Sequence, residues 1–185
     1  MRSKMDLEKK LKKVTSKTLP LYILIALLVI FANPTGSSCF FGFIVVLMGE
    51  ALRFWAAGHI IKNDELTTSG PYAYMQSPLY LGSFIVGTGL CIMAKNPVIW
   101  VIVCAVFFFS YIPRKKEIEW GRLEKLFGEE FIKYKKEVPY FIPRLDPYPE
   151  GAKHPWSFAS AIENTEHQTA IAIFLIALFI FIRLL

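Results

Sequence analysis

The sequence predicts an all-α polytopic membrane protein with about five transmembrane helices and a cytoplasmic amphipathic helix lying over a site at the membrane edge. Three observations carry this expectation. Hydrophobic residues make up 54% of the 185 positions and the mean hydropathy is +0.42, more apolar than an ordinary soluble domain. Charged residues, 19% of the chain, are gathered between apolar runs rather than spread along it. At roughly 20 residues per crossing, the apolar runs leave room for four or five spans and little else. Finally, residues 114–138 carry fourteen charges together with the stripe Trp120, Leu123, Phe127, Phe131 and Tyr134. Spacings of three and four place that stripe on one face of a helix.

The same composition excludes other classes. The net charge of +6 comes from basic residues flanking apolar runs, which membrane orientation explains without a nucleic-acid partner. Cys39, Cys91 and Cys104 stand singly inside apolar runs, a pattern that predicts neither a disulfide framework nor a metal site. No internal repeat is visible.

Each element has a local reason. Residues 1–18 hold seven basic and two acidic residues, with Leu7, Leu11 and Val14 at helical spacing, and read as a basic amphipathic segment on an anionic membrane face. An apolar run at 19–32 follows, and Asn33-Pro34-Thr35-Gly36 reads as a turn. The second span, about 39–57, carries Glu50 and Arg53 one turn apart on one face. Ionisable residues at membrane depth must face the bundle or a polar cavity, so Arg53 is a candidate catalytic group and equally a structural ion pair. His59 follows that span and is a second candidate. Residues 68–82 form the organising stretch. Gly70-Pro71 signals a turn, Pro78 suits the first turn of a helix, and Tyr72, Tyr74 and Tyr80 crowd the helix start. The third span is expected at about 77–93, with Gly82, Gly87 and Gly89 allowing close helix approach. The fourth is expected at 98–112, closed by Pro113. Pro139 and Pro143 end the charged helix, 146–155 is a proline-containing linker, and a last helix runs over 157–183. The chain thus divides into the N-terminal segment 1–18, a membrane core 19–145 and a linker with an additional helix at 146–185. Basic residues number seven in 1–18 and ten in 113–154, against none at 33–36. This asymmetry predicts a cytoplasmic N-terminus, with the tyrosine stretch and the charged helix on the same side.

Two ordered blocks carry a family resemblance. The first is Gly70-Pro71-Tyr72-Ala73-Tyr74-Met75-Gln76-Ser77-Pro78-Leu79-Tyr80-Leu81-Gly82. The second is Glu119-Trp120-Gly121-Arg122-Leu123 followed by Phe127-Gly128-Glu129-Glu130-Phe131, Tyr134 and the closing 138–145. Over about residues 45–145 the chain resembles the integral membrane isoprenylcysteine carboxyl methyltransferases and their phospholipid methyltransferase relatives. It departs from the carboxyl branch in having Gln76-Ser77 before the proline instead of Arg-His, and Trp120 in place of a second glutamate. Pro78-Leu79-Tyr80-Leu81-Gly82-Ser83 follows the phospholipid branch.

The resemblance implies S-adenosyl-L-methionine as cofactor, a lipid or amphiphilic acceptor within the bilayer, and a site under the amphipathic helix. Cofactor binding would fall to Tyr72, Tyr74, Gln76, Ser77, Pro78, Tyr80, Lys115 and Glu119, and chemistry to Glu119, His59 and Arg53. Glu119 suits the cofactor's ammonium or ribose, Lys115 its carboxylate, and the tyrosines its adenine or sulfonium. A carboxylate acceptor needs no base, whereas an ammonium acceptor must first lose a proton to Glu119 or His59. Two other readings stay open. One is a binding or assembly protein that kept the scaffold without methyl transfer, and the other is a membrane lipid reductase.

Overall fold

The computed structural model describes residues 22–61, 65–151, 153–164 and 166–185. The basic segment 1–18 and the first residues of the run at 19–32 lie outside the described residues. Helix α1 covers residues 22–30 and α2 covers Gly36–Ala57, capped by reciprocal bonds between Thr35 and Ser38. A short 3-10 turn, Gly70–Ala73, leads into α3, Pro78–Met93, which begins on its proline. Helix α4, Pro97–Val106, runs through a wide π-turn at Phe107–Tyr111 into α5, Ile112–Glu137. The chain ends in α6, Phe158–Glu163, and α7, Glu166–Ile182.

The five-span expectation is corrected. Among the described residues only two helices are long and apolar enough to cross a membrane, Gly36–Ala57 and Pro97–Glu137. Pro78–Met93 and Glu166–Ile182 are apolar but shorter. The reason is length. The 16 residues of α3 are bounded by Pro78 and the turn after Met93, and rise only about 24 Å against a hydrocarbon core of roughly 30 Å. The outward faces of the two long helices are apolar, with Phe40, Phe41, Leu47, Met48, Val101 and Phe109 exposed, and the protein is membrane-associated.

The separate amphipathic helix covering a cofactor site is also corrected. Pro113 does not close the preceding span, and the charged segment continues from that helix, over 41 residues with a break at Gly128. A helix-interior proline leaves the carbonyl four residues back without a donor and crowds it. The π-turn absorbs this one residue earlier, where the Ile112 N–H donates to Phe107 O. It also sets Phe107 and Phe108 against Phe84 and Phe141, with ring centroids 5.0–5.8 Å apart. The regular path breaks later, at Gly128, with φ +52° and ψ −122°. That backbone suits glycine alone.

The core lies between α1, α2, α3, α4 and α7, around Leu28, Val46, Val86, Leu90, Ile99 and Ile180. Its closest approach is a backbone seam between α2 and α3. A Cβ on Gly49 would sit 2.8 Å from Gly82 O and one on Gly89 2.8 Å from Gly42 O, whereas one on Gly87 would meet nothing nearer than Val103 at 3.8 Å. Gly49→Val is therefore expected to lower stability by about 1–3 kcal/mol or more, because backbone cannot step aside as a side chain can. Gly87→Ala should leave the thermal midpoint in detergent near that of the wild type. Equal midpoints for both variants would refute the seam. At one end of the bundle the two turns are tied together, by Asn33 N–H to Ala94 O at 2.9 Å and Asn96 Nδ2 to Phe31 O at 3.2 Å.

Candidate functional site

The site is assembled at the opposite end of α2 and α3 from chain that has little regular structure of its own. After α2, the His59 imidazole is buried, with Nδ1 3.2 Å from Ser69 Oγ. Gly70, at φ +57°, lies so close that a Cβ there would come within 2.2 Å of the ring. Burial lowers the His59 pKa below its ordinary value, so the folded protein holds this ring neutral at neutral pH. The unfolded chain takes up the proton first as pH falls. The stability contribution is therefore complete above the ordinary histidine pKa and declines as pH drops through it. The thermal midpoint should fall more between pH 7.5 and 5.5 in the wild type than in His59→Gln, and parallel curves would exclude this role.

The two motif blocks then lock together. Gln76 N–H donates to Pro139 O at 2.9 Å, and its side-chain amide donates to Val138 O while accepting from Trp120 Nε1 at 2.9 Å. Ser77 bonds Tyr140 O through both its N–H, at 3.1 Å, and its hydroxyl, at 2.5 Å. Tyr134, turned inward beyond the Gly128 break, donates its hydroxyl to Tyr72 O at 2.7 Å. Tyr148 N–H closes on Ala73 O at 2.8 Å and Arg144 N–H on Tyr74 O at 3.0 Å. Leu66, Ala73, Phe131, Tyr134, Val138 and Tyr148 are buried in the joint.

Between these segments lies a cavity of about 160 Å³. Its polar lining includes Glu119, Arg122, Gln76 and Thr67, and its aromatic walls include Tyr72, Trp120, Tyr134 and Tyr140. Glu119 receives hydrogen bonds from the hydroxyls of Tyr140, at 3.5 Å, and Tyr80. Burial, and then the neighbouring Glu119, push the Tyr140 hydroxyl above its ordinary range, and burial does the same to Tyr72. Both stay neutral donors.

Of the residues singled out from the sequence, Tyr72, Gln76 and Glu119 line this cavity. Tyr80 reaches it through Glu119 and packs edge-on against Tyr111. Ser77 and Pro78 form the buried start of α3, and the Ser77 hydroxyl is spent on Tyr140. Tyr74 is half-buried against the Phe131 cluster and is not part of the cavity lining. Lys115 lies over the Tyr111 ring, 5.6 Å from its centre. Arg53 is held away from the cavity lining by Glu166, whose carboxylate oxygens are 3.0 and 2.9 Å from Nη2, and by Ser83. Arg122, Trp120 and Glu166 were not singled out as site residues. Arg122 could have been found by its position one turn from Glu119. Glu166 could have been found as a charge at the start of an apolar helix that needs a partner at the depth of Arg53.

The fold and site define a membrane-associated helical protein whose acidic, aromatic-walled cavity sits where a long helix meets the loops between its apolar helices. The family model for phospholipid methyltransferase matches residues 22–130, more than half of the chain. The chain belongs to that family. It is similar to human protein-S-isoprenylcysteine O-methyltransferase, 33% identical over 114 residues that cover 55% of this chain and 40% of that protein. It is also similar to protein-S-isoprenylcysteine O-methyltransferase B of Arabidopsis thaliana, at 32% over 115 residues, covering 56% of this chain and 58% of that one. A third relative is the nickel-cobalt-cadmium resistance protein NccN of Alcaligenes xylosoxydans xylosoxydans, at 34% over 106 residues, covering 56% and 49%. The chain thus spans about half the length, or less, of these curated relatives. No solved structure matches it. The family match ends at residue 130, so Tyr140, Tyr148 and Glu166 lie outside it.

Proposed function

We propose that the protein transfers a methyl group from S-adenosylmethionine to a lipid or lipid-like acceptor at the cytoplasmic membrane face, on a carboxylate oxygen or an amine nitrogen. The observation that carries this reading is the Glu119 carboxylate set among aromatic faces in a cavity built by both family motifs, with Arg122 beside it. The donor set suits the cofactor. Glu119 would pair with its ammonium, and Arg122, with Lys115 nearby, would attract its carboxylate. Tyr72, Trp120 and Tyr140 offer flat faces to adenine and sulfonium. The cavity is smaller than the roughly 300–1,000 Å³ of pockets that enclose a whole small molecule, so a bound cofactor extends past these walls. When bound, it supplies an electrophilic methyl on sulfur and leaves as a neutral thioether.

This chain's own residues would align, desolvate and deprotonate. A carboxylate acceptor attacks as it stands. An amine acceptor must first give up its proton, and the Glu119 carboxylate or the neutral His59 imidazole would take it. Purified protein incubated with methyl-labelled cofactor and total membrane lipid tests the reading. Base-labile lipid label indicates an ester, and base-stable headgroup label indicates nitrogen. Label confined to water-soluble products overturns the lipid acceptor.

A second reading has one observation in its favour. The Gln76 side chain is consumed by Trp120 and Val138 within the joint, as in a scaffold that has given up the cofactor for rigidity. Absence of cofactor binding by calorimetry up to millimolar concentration would select it. Saturable binding of a reduced nicotinamide cofactor in the same titration would instead select a reductase.

The cytoplasmic placement rests on the basic residues of 1–18 and 113–154. Thr35→Cys, in a protein whose native cysteines are replaced, should react with an impermeant thiol reagent from the non-cytoplasmic side only. Reaction from the cytoplasmic side would reverse the orientation.

A further inference from the structure

Among the described residues, Arg53 is the one cation of an ionic cluster joining α2, α3 and α7. Its Nη2 donates to both oxygens of Glu166, its Nη1 to Ser83 Oγ, and its Nε lies 3.3 Å from Glu50 Oε1 without hydrogen-bond alignment. The Arg53 and Glu166 side chains are only 11% and 8% exposed. Gly82 makes room for the arginine stem, since a Cβ there would fall 2.5 Å from Arg53 Cγ. The partners come from two parts of the chain. Arg53 and Ser83 lie inside the family-matched segment, and Glu166 lies beyond it, in the C-terminal helix.

The cluster is not sealed by helix packing. Glu50, Glu166 and His167 form the polar part of a second cavity, of about 110 Å³, whose other walls include Phe54, Phe158, Ile162 and Ala170. A cavity with one charged end and apolar, aromatic sides has the shape of an amphiphile's headgroup and first methylenes. A guanidinium at such an end would take a carboxylate by charge-assisted hydrogen bonds. Here that place is filled by a carboxylate of the same chain, which any external anion must displace against a very high effective concentration.

We propose that Glu166 is an internal carboxylate ligand of Arg53, and that it makes this cavity reject carboxylate-ended amphiphiles. The C-terminal helix thereby acts as a specificity element. Its bearing on the acceptor rests on the methyl-transfer reading, but the charge selectivity is a binding property that needs neither cofactor nor turnover.

The test measures equilibrium binding of dodecanoate and dodecylamine to the full chain in neutral nanodiscs, without cofactor. Glu166→Gln should bind dodecanoate at least tenfold more tightly than the wild type, with no such gain for dodecylamine, and Arg53→Gln/Glu166→Gln should lose the gain. Equal dodecanoate affinity in wild type and Glu166→Gln overturns the proposal. So does a gain shared by dodecylamine or kept in the double variant. If Glu166→Gln does not fold well enough for binding, Glu166→Ala provides the second readout. Its thermal midpoint should rise in sodium acetate over sodium chloride at matched ionic strength, and neither the wild type nor Arg53→Gln/Glu166→Ala should respond. Absence of that acetate effect also overturns the proposal. A failure of methyl transfer would leave these results untouched, and their failure would leave the transfer reading standing.

Discussion

Arg53→Gln is expected to lower the stability of the folded chain by about 3–5 kcal/mol, the usual cost of removing one partner from a buried ion pair. For a chain of this size that is a fall of roughly 6–20 °C in thermal midpoint. The loss has a specific cause. Glu166 is only 8% exposed, and its two oxygens share one donor group. Without Arg53 it remains a buried charge, and Glu50 loses its counterion as well. Arg53→Gln/Glu166→Gln should recover most of the loss, because the neutral pair leaves only the partly exposed Glu50 uncompensated. Differential scanning fluorimetry of the three proteins in one detergent checks this. A double variant no more stable than Arg53→Gln would show that the arginine acts through packing of its stem against Gly82.

Glu119→Gln carries the largest expected effect on activity. A charge-assisted hydrogen bond is worth about 1.5–3 kcal/mol, so replacing the carboxylate should weaken cofactor binding roughly 10- to 150-fold. Folding should survive, because the amide oxygen still accepts from Tyr140 and Tyr80, which donate to Glu119 in the wild type. The pattern of the loss separates two roles. A rise in cofactor KM with kcat kept would mean that Glu119 holds the ammonium. A fall in kcat, with loss of the acid limb of the pH profile, would mean that it takes a proton from an amine acceptor. Unchanged kcat/KM would move the site elsewhere.

Gly128 offers a smaller test of the joint. Its φ of +52° disfavours any side chain, so Gly128→Ala should cost about 1–2 kcal/mol, although nothing lies within 4 Å of the added methyl. A variant as stable as the wild type would show that the backbone relaxes there without consequence.

Motif and composition made the family and membrane association legible before any coordinates. Both depend on residue type in fixed order, and apolar content and block spacing survive whatever the tertiary arrangement. The helix start at Pro78 was legible for a similarly local reason, since proline acts on its own backbone. Span number was not. It depends on where apolar runs are cut, and Pro113 was absorbed by a π-turn because Phe107 and Phe108 pack on Phe84 and Phe141, a contact between residues far apart in sequence. The partners of Gln76, Ser77 and Arg53 were likewise hidden, because they lie 62, 63 and 113 positions further along. The sequence by itself determined which groups must find partners, since buried polar atoms and charges are costly alone. Only the tertiary structure decided which partners they took. It placed Gln76 and Ser77 in the joint between the two motif blocks, and Arg53 against Glu166 of the C-terminal helix.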